Sequence, residues 1–253
     1  MPFGLVVVAY IDGMALYIFS DAHLGADPPE KETIKVSKIA ALFELVKADG
    51  DRLVILGDLF DFWFEYRHAI PKDHHDVLFM LSDLVRRGVK IDYVSGNHDF
   101  WMGDFFARQM GITLHRDALD LEYDGKRLHL IHGDGLAGAD RGYRLLKRIL
   151  RNRVNIWLYR KLPPDWAMPL AKRVSGSSRK YTSRRDQTFA ADYEMYAKER
   201  LTSSGYDIVA IGHLHIPVMK SFGGRVYINT GDFIEHFTYA KLAGGEIRLE
   251  SVR

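Results

Sequence analysis

Acidic, amide and imidazole side chains recur along the chain in five short clusters: Asp-x-His, Gly-Asp, Gly-Asn-His-Asp, His-Gly-Asp and Gly-His-x-His. Their oxygen and nitrogen atoms are the ligands that divalent cations active on phosphate prefer. Two such cations, about 3.5–4 Å apart, polarise phosphoryl oxygens and lower the pKa of a bound water. Each cluster alone is a common loop sequence, but their joint occurrence predicts a metal site. The predicted ligands are Asp21, His23, Asp58, Asn97, His132, His213 and His215.

Each cluster follows a short apolar run, which is typical of a buried strand bounded by a turn. Helical spacing occurs between several of these runs, and strands that alternate with helices predict an α/β fold. Ligands bind such folds at the carboxyl ends of the strands, so we expect distant segments to meet at one site. The predicted strands are Leu16–Phe19, Leu53–Leu56, Ile91–Val94, Leu128–Ile131, Ile208–Ile211 and Val226–Ile228, and the predicted helices are Ile34–Lys47, His75–Arg87 and Asp186–Leu201.

The composition is that of a globular protein with a core, since 47% of the 253 residues are hydrophobic and 27% are charged. The chain has no cysteine, which excludes disulfides and thiolate metal ligands. We expect neither a signal peptide nor a spanning helix, because the first apolar run lacks a basic flank and is interrupted at Asp12-Gly13. A cytoplasmic protein is the resulting expectation. Met14 opens the first clear strand, so we expect residues 1–13 to be an extension.

The net charge of +2 is unevenly distributed along the chain. Fourteen Lys and Arg residues but one acid, Asp165, lie between Arg141 and Arg185, which gives this segment +13 and leaves −11 for the rest. Apolar residues recur with helical spacing from Tyr143 to Tyr159, and a second apolar and basic stretch follows. We interpret 138–190 as a basic helical insertion, or cap, within a single domain spanning 1–253. Its charge predicts a negatively charged partner.

Taken together, five motifs resemble the calcineurin-like metallophosphoesterase superfamily over residues 16–232. They are Asp21-Ala22-His23, Gly57-Asp58-Leu59-Phe60-Asp61, Gly96-Asn97-His98-Asp99, His132-Gly133-Asp134 and Gly212-His213-Leu214-His215. The resemblance implies a four-layer α-β-β-α sandwich of two mixed sheets. It also implies two metal ions, with Mn²⁺ favoured, although the ligands alone would also accept Fe, Zn or Co. One ion would take Asp21, His23, Asp58 and His215, and the other would take Asp58, Asn97, His132 and His213, with Asp58 bridging.

The same resemblance assigns His98 to catalysis, either stabilising the phosphoryl transition state or protonating the leaving oxygen. Imidazole suits both roles because its pKa lies near working pH. We expect the adjacent Asp99 to orient this imidazole. Asp61 and Asp134 are expected to brace the loops that carry the ligands.

Within the superfamily, the chain is similar to the UDP-2,3-diacylglucosamine pyrophosphatases of lipid A synthesis, which release UMP and a lipid monophosphate. The likeness includes Gly57–Trp63, His132–Leu136 and the insertion. It implies a cap that shelters acyl chains and a peripheral location on the cytoplasmic face of the inner membrane. An apolar stripe flanked by Arg and Lys suits a lipid interface, and Arg179 and Lys180 could hold phosphate oxygens. The predicted substrate-binding residues are Asn97, Asp140, Tyr143, Arg179 and Lys180.

Two departures from this family leave the substrate open, since it commonly has Arg at the positions of His98 and Ile216. One alternative is a related metallophosphoesterase that acts on another phosphodiester or phosphomonoester. Another is a nucleic-acid-processing phosphodiesterase, although the aromatic residues of the insertion follow its apolar stripe and do not alternate with cations as in nucleic-acid binders. We therefore expect no dedicated nucleic-acid partner. A non-catalytic scaffold on the same fold is disfavoured because every ligand position is kept.

Overall fold

The structure, a computed structural model, describes residues 14–137, 147–171, 175 and 186–253, without the side chains of 186–188. Residues 1–13, on which we based the expectation of an extension, lie outside this part of the chain. The strands are β1 (Ala15–Phe19), β2 (Gly50–Ile55), β3 (Lys90–Val94), β4 (Thr113–His115), β5 (Ala118–Tyr123), β6 (Lys126–Ile131), β7 (Ile208–Ile211), β8 (Pro217–Phe222), β9 (Arg225–Thr230), β10 (Thr238–Ala243) and β11 (Glu246–Ser251). The helices are α1 (Pro29–Asp49), α2 (His75–Arg86), α3 (Phe105–Met110), α4 (Arg153–Tyr159) and α5 (Asp186–Ser203).

The strands form two mixed sheets. The first has the order β11-β10-β1-β2-β3-β4, and the second has the order β5-β6-β7-β9-β8. The strands β1 to β4 are parallel, as are β6, β7 and β9, whereas β5, β8, β10 and β11 pair in antiparallel fashion. The loops that follow neighbouring parallel strands lie side by side, at the carboxyl ends of those strands.

Three apolar layers hold the sheets and helices together. Alternate residues of β1 face opposite sides, so Leu16 and Ile18 pack toward the second sheet while Tyr17 and Phe19 pack toward α1. The layer between the sheets also contains Leu128 from β6. The outer face of the second sheet packs against α5. The predicted four-layer α-β-β-α sandwich of two mixed sheets is thereby confirmed.

All six predicted strands are present, and α1, α2 and α5 contain most of the three predicted helices. The strands β4, β5, β8, β10 and β11 were not predicted. Several of them lie at sheet edges, and β5 and β11 expose alternate residues to solvent. Their apolar residues therefore do not form the continuous runs that identify strands buried on both faces.

The described part of the insertion is helical, with helical residues at 147–150, in α4 and at 164–171. The single stripe predicted from Tyr143 to Tyr159 is interrupted, because Asn152 begins α4 as its N-cap and its Oδ1 accepts a hydrogen bond of 2.8 Å from the Val154 N–H. The predicted end of the insertion at residue 190 falls inside α5. None of the described helices combines the length and the apolar character that crossing a membrane requires.

An aromatic cluster joins the insertion to the body. The ring of Tyr159 in α4 lies 4.8 Å from that of Phe64 and 5.1 Å from that of Trp101. Trp101 also donates a hydrogen bond of 3.0 Å from its indole N–H to the Leu150 carbonyl. These contacts bury Phe62 and Phe64 and place the insertion over the loops that follow β2 and β3.

Candidate metal centre

Every predicted metal ligand lies on a loop at the carboxyl end of a strand. Asp21 and His23 follow β1, Asp58 follows β2 and Asn97 follows β3 in the first sheet. In the second sheet, His132 follows β6, and His213 and His215 follow β7. The two sheets therefore contribute the two halves of one site.

The backbone at these ligands is bent into an unusual conformation. Among the described residues, seven that are not glycine have positive φ, and five of the seven are predicted ligands. This conformation costs about 1–2 kcal/mol for a residue with a side chain, and it clusters where function requires it. The five ligands are Asp21, His23, Asp58, His213 and His215, with φ between 43° and 68°.

Two glycines allow the ligand loops to pack closely. A Cβ at Gly57, where φ is +83°, would lie 2.6 Å from the backbone nitrogen of Gly96 and 2.8 Å from His132 Nδ1. A Cβ at Gly96 would collide with Asp58 Oδ1. Because only glycine lacks a Cβ, the loops can approach this closely only with glycine at both positions.

The first group of ligand atoms comes from Asp21, His23 and His215. The Nε2 atoms of His23 and His215 are 3.2 Å apart. Asp21 Oδ1 lies 3.8 Å from His23 Nε2 and 3.5 Å from His215 Nε2. These three atoms converge on a common point, as the ligands of one cation do.

A second group comes from Asp58, His132 and His213. His132 Nε2 lies 3.3 Å from Asp58 Oδ2 and 3.2 Å from His213 Nδ1. The side-chain oxygen of Asn97 is 3.1 Å from the same His132 nitrogen. The four residues expected at the second ion are thus brought together.

Asp58 stands between the two groups. Its Oδ2 atom is 3.7 Å from His23 Nε2 in the first group and 3.3 Å from His132 Nε2 in the second. One carboxylate therefore faces the nitrogen ligands of both groups, which is the position that a bridging ligand needs.

Unsatisfied and oriented polar atoms show that these residues fit divalent cations. Asp21 Oδ1 is buried without a hydrogen-bond partner among the described residues, whereas Oδ2 accepts from the Ser20 hydroxyl and, at 2.8 Å, from the His213 N–H. A buried carboxylate oxygen without a hydrogen bond is costly, and a cation removes that cost. His132 donates its Nδ1–H to the Leu56 carbonyl at 2.7 Å, which leaves the Nε2 lone pair for coordination.

Without a bound cation, the ligands shift one another's pKa values in opposite directions. Burial opposes protonation of His132, but the charge of Asp58 outweighs it and raises the pKa of His132 to about 10. Burial and the neighbouring His132 lower the pKa of His213 to about 3. Burial likewise opposes ionisation of Asp21, yet contacts with His215 lower its pKa to about 2. The cluster is thus organised around negative carboxylates that a cation would neutralise.

His98 lies beside the ligands, but Asp99 does not orient it. The Nδ1 atom of His98 is 2.8 Å from Ser175 Oγ and 3.1 Å from the Asp61 carbonyl oxygen. The expected partnership of His98 with Asp99 was wrong, because the fully buried Asp99 carboxylate is occupied by other hydrogen-bond donors. It accepts hydrogen bonds from the Tyr93 hydroxyl at 2.5 Å, the Gly96 N–H at 2.9 Å and the Phe60 N–H at 3.4 Å.

The remaining predicted residues fall in different places. Asp61 Oδ1 lies 3.7 Å from His23 Nδ1 and 3.5 Å from His98 Nδ1, so it faces the site. Asp134 Oδ2 lies 2.7 Å from Lys147 Nζ and thus faces the insertion. The predicted substrate-binding residues Asp140, Tyr143, Arg179 and Lys180 lie outside the described residues.

Several residues of the site were not predicted. Ser175 contacts His98, and Thr230 lies 2.7 Å from the Ser20 oxygen that contacts Asp21. Asn229 donates to the Gly212 carbonyl at 2.9 Å. Asn229 and Thr230 follow a predicted strand in the same way as the ligands do, so that signal could have identified them. Ser175 stands in a serine- and glycine-rich stretch that carries no such signal.

Known proteins with similar sequences point to one family. The calcineurin-like phosphoesterase family matches residues 14–217. A UDP-2,3-diacylglucosamine hydrolase of Porphyromonas gingivalis is 32% identical over 94% of this chain and 97% of that protein. One of Aeromonas salmonicida is 31% identical over 94% of this chain and 93% of that protein.

A solved structure supports the fold. An archaeal phosphodiesterase, covering 94% of this chain and 99% of its own, superposes with a TM-score of 0.50 at 16% identity. That likeness concerns the fold alone, whereas the family match over residues 14–217 covers all seven predicted ligands. From the family match and the relatives above 30% identity, we conclude that the chain belongs to the calcineurin-like phosphoesterase family, that it is a hydrolase, and that its family implies divalent metal ions.

Proposed function

We propose that the chain is a two-metal phosphohydrolase that cleaves the pyrophosphate of UDP-2,3-diacylglucosamine, giving UMP and 2,3-diacylglucosamine 1-phosphate. The position of the Asp58 carboxylate between two groups of ligands carries the two-metal part of the proposal. The relatives named UDP-2,3-diacylglucosamine hydrolase, similar over nearly the whole chain, support the substrate.

In this proposal, each ion is held by four side chains and Asp58 is shared. Asp21, His23, Asp58 and His215 would hold one ion, and Asp58, Asn97, His132 and His213 would hold the other. When bound, such a pair neutralises charge on the phosphoryl oxygens and lowers the pKa of a water. We propose Mn²⁺ as the metal ion, from the family resemblance.

His98 has one free nitrogen for the reaction. Its Nδ1 atom contacts Ser175 and the Asp61 carbonyl, while its Nε2 atom has no hydrogen-bond partner in the part of the chain that the structure describes. With only 5% of its side chain exposed, the ring is held at the edge of the ligand cluster. The unpartnered Nε2 supports the proposal that His98 stabilises a phosphoryl oxygen or donates a proton to the leaving oxygen.

The insertion presents a surface that suits a lipid substrate. Trp157 in α4 is 56% exposed and Trp166 in the next helical segment is 74% exposed, among basic residues such as Arg160 and Lys161. Tryptophan with Lys and Arg is the composition of helices that bind lipid interfaces. We propose that this face meets the cytoplasmic surface of the inner membrane peripherally. Asn97, Asp140, Tyr143, Arg179 and Lys180 remain the proposed substrate-binding residues.

The test compares three substrates with Mn²⁺-loaded protein: UDP-2,3-diacylglucosamine in mixed micelles, bis(p-nitrophenyl) phosphate and p-nitrophenyl phosphate. We expect UMP release to be the fastest reaction. Asp58→Ala should reduce it by more than about 100-fold, since even the partners of metal ligands contribute 10–100-fold. Asp76→Ala, which changes an exposed carboxylate of α2, is the matched control and should leave the rate unchanged.

Each outcome of this assay has a separate meaning. Hydrolysis of the simple esters without UMP release would refute the lipid substrate and favour a related metallophosphoesterase. The histidine at position 98, where the similar pyrophosphatases commonly have arginine, is the sequence feature that favours this alternative. No hydrolysis of any of the three substrates would refute the two-metal phosphohydrolase itself.

A further inference from the structure

A serine of the insertion contacts the proposed catalytic histidine. Ser175 is 7% exposed, although it belongs to the segment that packs over the site. Its Oγ atom lies 2.8 Å from His98 Nδ1, 2.6 Å from Asp61 Oδ1 and 3.0 Å from the Asp61 carbonyl oxygen. The insertion therefore reaches the imidazole directly, through a side chain that neither the family motifs nor the names of the relatives assign.

The neighbours of Nδ1 determine which nitrogen of His98 carries a proton. The Asp61 carbonyl oxygen, 3.1 Å from Nδ1, can only accept a hydrogen bond. An unprotonated Nδ1 would face this oxygen as a second acceptor, so Nδ1 carries the hydrogen. Ser175 then accepts from the Nδ1–H and donates its own hydrogen to Asp61 Oδ1. The result is a chain of hydrogen bonds from His98 through Ser175 to Asp61.

We propose that Ser175 is a positioning residue that fixes the orientation of the His98 ring by accepting its Nδ1–H beside the Asp61 carbonyl. The inference rests on the proposed function, because it concerns how His98 serves the same site. With the ring held in this way, Nε2 is the nitrogen left for the reaction. When it acts as an acid, the Nε2–H bond breaks, an O–H bond forms on the leaving oxygen, and the electron pair stays on Nε2 of a neutral ring that keeps its Nδ1–H.

A second consequence concerns the insertion as a whole. Because the positioning hydroxyl belongs to the insertion and its acceptor Asp61 belongs to the loop after β2, the imidazole has both of its Nδ1 partners only when the insertion is seated. Packing of the insertion over the site is therefore needed for the catalytic role of His98 as well as for substrate binding.

A double-mutant cycle on bis(p-nitrophenyl) phosphate tests the positioning role. We expect Ser175→Ala to lower kcat about tenfold with little change in KM, as loss of one hydrogen bond does. Ser175→Thr, which keeps the hydroxyl, should recover most of the rate. In the His98→Asn background, Ser175→Ala should have no further effect, because there is no imidazole to position. An equal loss in both backgrounds would overturn the proposal in favour of simple anchoring of the insertion.

A measurement independent of turnover is the imidazole NMR spectrum of the metal-free protein labelled with ¹⁵N-histidine. The His98 signals are identified by their disappearance in His98→Asn. We expect one narrow set of His98 signals in the wild-type protein and broadened or displaced signals in Ser175→Ala, because the ring loses one of its two Nδ1 partners. Unchanged His98 signals in Ser175→Ala would contradict the proposal. If the wild-type protein hydrolyses no ester, the proposed function fails while this spectrum still decides whether Ser175 positions His98.

Discussion

Asp58 has two side-chain oxygens with different tasks. Oδ1 accepts a hydrogen bond of 2.9 Å from the backbone N–H of His98, so the orientation of the carboxylate is fixed by the loop after β3. Oδ2 is thereby held toward His23 and His132. Asp58, which follows β2, is thus oriented by His98, which follows β3. For this reason the motifs that contain these two residues depend on each other.

The sequence identified Asp99 as a residue of the site but did not predict its hydrogen-bond partners. Burial and the nearby charge of Asp58 raise the pKa of Asp99 to about 6, yet it accepts hydrogen bonds from Tyr93, Gly96 and Phe60. Sequence adjacency suggested a contact with His98, but adjacent side chains of a turn point in different directions. Only the three-dimensional path of the loop shows which partners the carboxylate finds.

We predict that Asp99→Asn keeps most of the activity and loses stability. The amide keeps the shape of the side chain, but its NH₂ group cannot accept, so one buried hydrogen bond is lost at about 1–3 kcal/mol. Thermal unfolding and kcat are measured together, with Asp99→Ala expected to be less stable than Asp99→Asn. A loss of activity above 100-fold with unchanged unfolding would return Asp99 to a catalytic role.

The ligand histidines predict a pH dependence for the stability of the metal-free protein. His132 has a pKa of about 10 in the folded state against 6.5 unfolded, so its stabilising contribution is complete below pH 6.5 and disappears as the pH rises to 10. His213, with a pKa lowered to about 3, contributes above pH 6.5 and loses this contribution as the pH falls toward 3.

Thermal unfolding in excess chelator between pH 4 and pH 10 measures this effect. The difference in midpoint between the wild-type protein and His132→Asn should shrink as the pH rises above 6.5. A difference that grows over the same interval would show that the proton on His132 does not stabilise the fold.

At the scale of elements, the strands that end in ligands were predictable because they are buried on both faces. Leu53–Leu56 and Ile208–Ile211 form continuous apolar runs between two layers, and such runs are visible in a sequence. The predicted ligands could be identified from the same signal, since these two runs are directly followed by ligand clusters. The strands β5 and β11 have one exposed face, so their mixed composition resembles that of loops.

The break in the insertion could not be predicted from apolar spacing. Val154, Trp157 and Leu158 continue the helical spacing but are each more than half exposed, so no packed face enforces one straight helix. The Asn152 cap decides where α4 begins. Helical spacing therefore predicted the type of element correctly and its continuity incorrectly.

An ion-pair cluster ties the insertion to both sheets, and we predict that it holds the helical segment 147–150. Arg151 lies 3.4 Å from Asp134 Oδ2 and 3.4 Å from the Gly96 carbonyl, and its guanidinium stacks on Phe100 at 4.7 Å. Arg151→Ala should increase hydrogen exchange across 147–171 and lower activity several-fold. The change removes the contacts of Arg151 with Asp134 and Gly96, so that of these two cations only Lys147 still pairs with Asp134.

Arg108→Ala is the matched control, because Arg108 pairs with Asp104 on the exposed surface of α3. That change should leave exchange in the insertion unaltered. Equal exchange in Arg151→Ala and the wild-type protein would mean that the aromatic cluster around Tyr159 suffices to seat the insertion.

At the scale of the whole molecule, charge is separated between two parts. The segment from Arg141 to Arg185 carries +13 and the rest carries −11. An acidic body repels anionic surfaces, whereas a basic insertion attracts them, so a negatively charged membrane would orient the protein with the insertion toward it. The same orientation brings the exposed tryptophans to the lipid.

We predict salt-dependent binding to vesicles that contain anionic phospholipid and little binding to neutral vesicles. The double variant Trp157→Ala/Trp166→Ala should bind several-fold more weakly, because both side chains are exposed and amphipathic. Phe79→Ala is the control, since this ring is 66% exposed on α2, outside the insertion. Co-sedimentation measures the bound fraction. Equal weakening by Phe79→Ala, or equal binding to both kinds of vesicle, would contradict a membrane-facing insertion.

The most direct test is a crystal structure of the Mn²⁺-loaded protein with anomalous data collected at the manganese edge. We expect two anomalous peaks, about 3.5–4 Å apart, with the Asp58 carboxylate between them. The ligands of one peak should be Asp21, His23 and His215, and those of the other should be Asn97, His132 and His213. A single peak, or two peaks that do not share Asp58, would contradict the two-metal centre.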